Sequence, residues 1–133
     1  MKMYHFTAEH LLPQILKQGL TLGVFPYQTE KGILFIPHRQ WLTLNPDRYE
    51  QSWNTQVFLK YSRSTVRLTI EIPSQFTENI IPALQYVSDM NAINKALVTE
   101  WDGSDKWAIY KGDIPPRWIA GVKEYKQVRK ARR

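Results

Sequence analysis

Residues 66–72 read Val-Arg-Leu-Thr-Ile-Glu-Ile and run straight into Pro73. No other stretch constrains the fold as much. Successive side chains of an extended chain point to opposite sides. Val66, Leu68, Ile70 and Ile72 therefore share one face, while Arg67, Thr69 and Glu71 share the other. This is the alternation of a half-buried strand, and Pro73 stops it.

Weaker versions of the same signal recur at residues 3–6, 32–37, 40–43, 56–61, 107–111 and 118–125. The first of these leads into a helix. Thr7 is a suitable N-cap, and Leu11, Leu12, Ile15 and Leu16 fall on one face of a helix over residues 8–17. Pro13 would cost an internal hydrogen bond deep in that helix, which moves its start toward His10. Gly19 follows as a left-handed C-terminal cap. Asn45-Pro46-Asp47 has the form of a second helix start, with Tyr49 and Trp53 on the short helix it opens. A third helix over about residues 89–98 rests on the four-residue spacing of Ile93 and Leu97. Gly112-Asp-Ile-Pro-Pro116 is a rigid turn.

Strand and helix come first, then mostly strands. There is no βα alternation and no dinucleotide-type glycine run, so a doubly wound parallel sheet is not expected. The expected class is α+β, with roughly six strands in antiparallel or mixed sheets and a few short helices. A chain of 133 residues without a linker-like stretch makes one domain, here residues 1–125. Residues 126–133 form a basic tail. The last eleven residues carry six Lys or Arg and one Glu, which leaves the rest of the chain near +1 of the total +6. Lys126, Arg129, Lys130, Arg132 and Arg133 could contact the phosphates of a nucleic acid, or another partner, or simply keep the terminus solvated.

No stretch approaches the roughly 18 apolar residues of a membrane span. The chain enters directly into MKMYHFT, without an apolar run and small-residue cleavage site, so no secretory signal is expected. The absence of cysteine excludes disulfides and thiolate chemistry and suits a cytoplasmic setting. His5, His10 and His38 lack the spacing of a zinc site, and no serine sits in a nucleophile-elbow context. A phosphate-binding glycine loop is missing, and no carboxylate pair stands out for glycosidic chemistry. What remains is a wealth of large rings. Trp41, Tyr49, Trp53, Trp101, Trp107 and Trp118 suit a core, and Trp41 and Trp53, beside polar stretches, are the better pocket walls.

Four segments in order, YHFTAEHLLPQILKQGL, QWLTLNP, VRLTIEIP and WAIYKGDIPPRWIAGV, together resemble the ADP-ribosyltransferase-like fold. The likeness is greatest to its small bacterial and phage members, relatives of DNA-modifying transferase toxins and of RNA 2′-phosphotransferases. It covers Tyr4 to Val122. The opening motif is fairly specific, the Ile-Pro-Pro element supports it, and the middle motifs are weak singly.

The resemblance implies a split, mostly antiparallel sheet whose cleft clamps NAD in a bent form. By position it implies that His5 hydrogen-bonds a ribose, that the Phe6 backbone meets the nicotinamide amide and that Thr7 lies at the pocket edge. Trp41 and Thr43 fall on the second strand of the cleft, and Tyr49 or Trp53 would stack on the nicotinamide. NAD would be cleaved at C1′ and ADP-ribose passed to a protein or nucleic acid, with no metal and no membrane. The late-strand glutamate of active relatives aligns on or beside Lys106, so the implied catalytic set is Glu100, Asp105 and Lys106, with Asp102 and Glu71 as further acids. The alternative is a catalytically silent domain of the same fold that binds a protein or nucleic acid as an inhibitor. Phosphotransferase-like chemistry would instead draw on Arg39, Arg48 and Arg67.

Overall fold

The computed structural model describes residues 1–46, 65–100 and 103–125. Its strands are β1 (Lys2–Thr7), β2 (Val24–Thr29), β3 (Gly32–Pro37), β4 (Arg39–Thr43), β5 (Val66–Glu71), β6 (Ile80–Pro82), β7 (Trp107–Lys111) and β8 (Ile119–Glu124). The helices are α1 (Leu12–Gln18), α2 (Ala83–Tyr86) and α3 (Ala92–Thr99). The class is α+β, with antiparallel sheets and short helices. The expected helix and strand within residues 47–61, together with Arg48, Tyr49, Trp53, Asp102 and the basic tail, lie outside the described residues.

Six strands form one sheet in the order β6-β7-β4-β1-β5-β8, and β2 and β3 form a separate hairpin. Every neighbouring pair is antiparallel. The ladders are uneven. β1 follows β5 from Lys2↔Glu71 to Thr7↔Val66, and β4 follows β7 from Arg39↔Lys111 to Thr43↔Trp107. Between β1 and β4 the ladder has one position, Tyr4↔Thr43. The sheet is thus two three-stranded blocks meeting at a seam.

Register assigns the two faces. Met3, Leu68, Ile70, Leu42, Ala108 and Tyr110 pack in one buried cluster with Ile15 of α1, Leu20, Ile114 and Trp118. This layer crosses the seam from β5 to β7. Trp107 and Ile109 on the opposite face pack with Phe25 of the hairpin, with Ala83 of α2 and Val87 just after it, and with Val98 of α3. Burying each such side chain contributes about 1.5–3 kcal/mol, and the alternation of residues 66–72 feeds the first cluster as expected.

Three expectations need correction. α1 begins at Leu12, after a 3-10 turn over Glu9–Leu11, with Ala8 rather than Thr7 preceding that turn. The reason is Pro13, which stands in the first turn of the α-helix, where its missing N–H costs nothing. Gly19 ends the helix at a φ of 86°, and its N–H bonds to Ile15 O. Two further strands exist, β2 and β6. β2 contains Pro26, which is tolerated because, among the described residues, β2 is an edge strand paired only with β3. Asn45 and Pro46 are not helical.

The hairpin turns on Glu30 and Lys31, between the pair Thr29↔Gly32. Thr29 Oγ1 accepts from the Lys31 N–H and donates to Gly32 O. Gly32 takes a φ of 129°, open to glycine and rarely to other residues. The outer edge of β2 is closed by side chains. The Asn94 amide accepts from the Gln28 N–H at 2.7 Å and donates to Gln28 O at 3.1 Å. Asn91 also donates to Gln28 O, and Trp41 Nε1 donates to Val24 O. Pro26 between them has no N–H to leave open.

Candidate functional site

The seam is the feature that gathers the expected binding residues. β1 and β4 touch at Tyr4↔Thr43 and share no further ladder position toward Thr7 and Arg39. In that interval the His5 ring takes over a backbone's role. His5 Nδ1 lies 2.7 Å from Trp41 O. A carbonyl oxygen can only accept, so Nδ1 carries the proton and the neutral ring has its lone pair on Nε2. Burial lowers the His5 pKa below its ordinary 6.5, and the bond to Trp41 O opposes that shift without cancelling it. The ring is therefore neutral at pH 7.

The remaining expected binding residues divide between the faces. Thr7 is buried on the same face of β1 as His5. Phe6 is buried on the opposite face, the face of Tyr4 and Thr43. Thr43 is buried too, and its hydroxyl accepts from the Asn45 N–H at 3.1 Å. Trp41 is half-buried. Its ring stacks on Phe25 at 5.8 Å and meets Trp107 edge-on at 6.3 Å, so most of its area serves the second cluster.

The expected catalytic set lies elsewhere. Glu100 caps the C-terminus of α3, and Asp105 and Lys106 are exposed in a 3-10 turn leading into β7. β4 stands between β7 and β1, so these residues sit one strand removed from the seam. Their tie to it is through backbone, by the Leu44 N–H to Lys106 O at 3.0 Å. Glu71 lies at the far end of β1, 4.0 Å from the N-terminal ammonium. Arg39 is engaged by Tyr86 and by the carbonyls of Pro37 and His38.

Sequence reasoning gave Arg67 a phosphotransferase role and passed over its partner. The Arg67 guanidinium lies 5.0 Å from the Tyr4 ring centroid and donates to Pro46 O at 3.3 Å, while its Nε is buried without a hydrogen bond. Tyr4 and Arg67 thus make a cationic, aromatic spot at the seam on the face opposite His5. The register that joins them is a nonlocal fact with no local signature. Gln40 was missed as well. It is buried, and its amide joins the Gly23 N–H to Gly112 O.

His38 holds a φ of 58° in the one-residue link from β3 to β4, and its Nδ1 is 2.8 Å from Asp113 Oδ1. Among the described residues no cluster of His, Asp or Glu could hold a metal ion, and no helix is long and apolar enough to cross a membrane. Comparison of the chain with family models, with curated proteins and with solved structures finds no match.

Proposed function

We propose that this chain is an NAD-binding, ADP-ribosyltransferase-like protein that transfers ADP-ribose to a protein or nucleic-acid acceptor in the cytoplasm. One observation carries the reading: the His5 ring at the seam, neutral, with Nδ1–H tied to Trp41 O. That tie selects the tautomer in which Nε2 accepts a hydrogen bond, so that a ribose hydroxyl can donate to it. Neutrality matters for the chemistry as well. Cleavage at C1′ passes through an oxocarbenium-like state, and a charged imidazole nearby would oppose the developing positive charge. His5 orients the sugar, and the Phe6 backbone and Thr7 line the same strand. Glu100 or Asp105 supplies the acid that steers the acceptor.

A second reading keeps the fold and drops the reaction. It is favoured by the exposed position of Glu100, Asp105 and Lys106, one strand away from the seam. In that case the domain binds a protein or nucleic acid without turning over NAD.

Calorimetric titration with NAD, run beside an assay of nicotinamide release, separates the two. Saturable binding that weakens at least about tenfold in His5→Ala, with the fold retained by circular dichroism, supports the first reading. Absence of NAD binding in the wild type refutes it. Binding without nicotinamide release in either the wild type or Lys106→Glu leaves the silent domain.

A further inference from the structure

The hairpin has one closed edge and one open edge, and the geometry points to a use for the open one: β3 pairs antiparallel with β3 of a second copy of this chain about a two-fold axis at Leu34. This is independent of the NAD reading.

A two-residue turn makes Thr29↔Gly32 a hydrogen-bonded pair, after which bonded and non-bonded pairs alternate. Tyr27↔Leu34 and Phe25↔Ile36 are then bonded pairs, while Gln28↔Ile33 and Pro26↔Phe35 are not. The Asn94 contacts agree, because the Gln28 N–H and C=O face away from β3 to meet that amide. By the same alternation, the N–H and C=O of Ile33 and Phe35 face outward from β3. Among the described residues no strand pairs with β3 on that side. The side chains beside these open groups are apolar and exposed, at 50% for Ile33 and 59% for Leu34 and for Phe35. Edges of this kind are normally blunted by charge, proline or a covering element. β2 has both proline and cover, and the core of β3 has neither.

The open groups complement themselves. With Leu34 facing the second copy's Leu34, Ile33 faces the second copy's Phe35 and Phe35 its Ile33. All eight outward groups of the two copies then close into four hydrogen bonds. The two Ile33–Phe35 pairs lie on one face, an aromatic against a β-branched residue in each. In this register Glu30 and Lys31, at the turn, face His38 and Pro37 of the second copy, beyond the four bonds. Shifted registers are poorer. Phe35 facing Phe35 would set Ile33 against Pro37, which has no N–H, and Lys31 against Arg39. Ile33 facing Ile33 would set Phe35 against the turn residue Lys31. An isologous two-fold contact is the commonest form of oligomer.

The chain has no cysteine, so single-cysteine variants read the register directly. Residues facing each other in a non-bonded antiparallel pair have Cα atoms about 4.5 Å apart, within disulfide reach, while diagonal neighbours lie about 7–8 Å apart. Leu34→Cys in the full chain should cross-link to a dimer under mild oxidation. Ile33→Cys, Phe35→Cys and the distant exposed Leu22→Cys should cross-link far less. Sedimentation of the wild type should show a concentration-dependent dimer that Leu34→Asp abolishes, and the exposure of Leu34 leaves the monomer folded. Amide exchange at Ile33 and Phe35 should slow as concentration rises. A wild type that remains monomeric to its solubility limit overturns the proposal. So does cross-linking at 33, 35 or 22 equal to that at 34, or a dimer that survives Leu34→Asp. Protection of the two amides by an added extended peptide, with no self-association, would assign the edge to a foreign strand and would equally overturn it.

Discussion

Replacement of Asn94 by aspartate tests whether the β2 edge is closed by hydrogen bonding or by bulk. Asn94 is fully buried. Its Oδ1 accepts from the Gln28 N–H at 2.7 Å, and its Nδ2 donates to Gln28 O at 3.1 Å and to Asn91 Oδ1 at 2.8 Å. Asn94→Ala strands the Gln28 N–H, which costs about 1–3 kcal/mol, and deletes two neutral bonds worth about 1 kcal/mol each. Alanine recovers roughly 0.5 kcal/mol of helix propensity. The net loss is about 2.5–4.5 kcal/mol. Asn94→Asp keeps the shape and the acceptor for the Gln28 N–H. It also brings an oxygen against Gln28 O and Asn91 Oδ1, where two donations had been, and buries a charge. At pH 7 the loss should be at least that of alanine, about 3–5 kcal/mol. Burial favours the neutral carboxyl and protonation restores a donor, so the deficit relative to wild type at the same pH should shrink as pH falls from 7 toward the ordinary carboxyl range near about 4. Urea unfolding followed by circular dichroism at pH 7 and pH 4.5 measures both differences. If Asn94→Asp is as stable as wild type at pH 7, or loses more at pH 4.5 than at pH 7, the amide acts by filling space and the account of the edge is wrong.

Two other outcomes follow from the same geometry. The His5 pKa is lowered in the folded state, so the unfolded chain binds the proton more readily. His5 therefore adds stability that is complete above pH 6.5 and is lost as pH falls from there toward the folded pKa, with a slope of up to about 1.4 kcal/mol per pH unit; urea unfolding of His5→Gln should lack this component, and an unchanged slope would show that His5 is not its source. A methyl group on Gly23 would lie 2.4 Å from Arg39 O and from Gln40 Oε1, so Gly23→Ala should lower stability by about 1–3 kcal/mol in thermal melting, and an unshifted melt would mean that the Gln40 bridge yields freely.

Legibility from sequence followed locality. Residues 66–72 announced β5 because all the apolar side chains of that strand serve one cluster, so period and burial coincide. β2 was silent for the opposite reason. Only Phe25 in it is fully buried, and Pro26 reads as a breaker unless the strand is known to lie at an edge. Pro13 signalled the trouble in α1 but not its remedy, a 3-10 turn that lets the proline stand in the first α-helical turn. At the candidate site, His5 was visible as a titratable ring on a strand, and Trp41 as a ring beside polar residues. The tie from His5 to Trp41 O depends on where β1 and β4 part, and register is set by the whole sheet. Gln40 and Asn94 are polar residues whose burial is satisfied by backbone groups 66 to 72 residues away for their Asn94–Gln28 and Gln40–Gly112 bonds. In a sequence they look like any surface amide.

The asymmetry of the hairpin limits what its self-association can build. In the language of polymerisation, a unit with two reactive ends grows a chain, and a unit with one reactive end stops at a pair. Pro26 and the Asn91–Asn94 amides remove one end, so strand addition through this hairpin is monofunctional: a two-fold contact at β3 consumes the open edge on both copies and leaves no site for a third. An apolar strand edge that would otherwise seed a fibre is held to a closed dimer by one proline and two asparagines on the strand behind it.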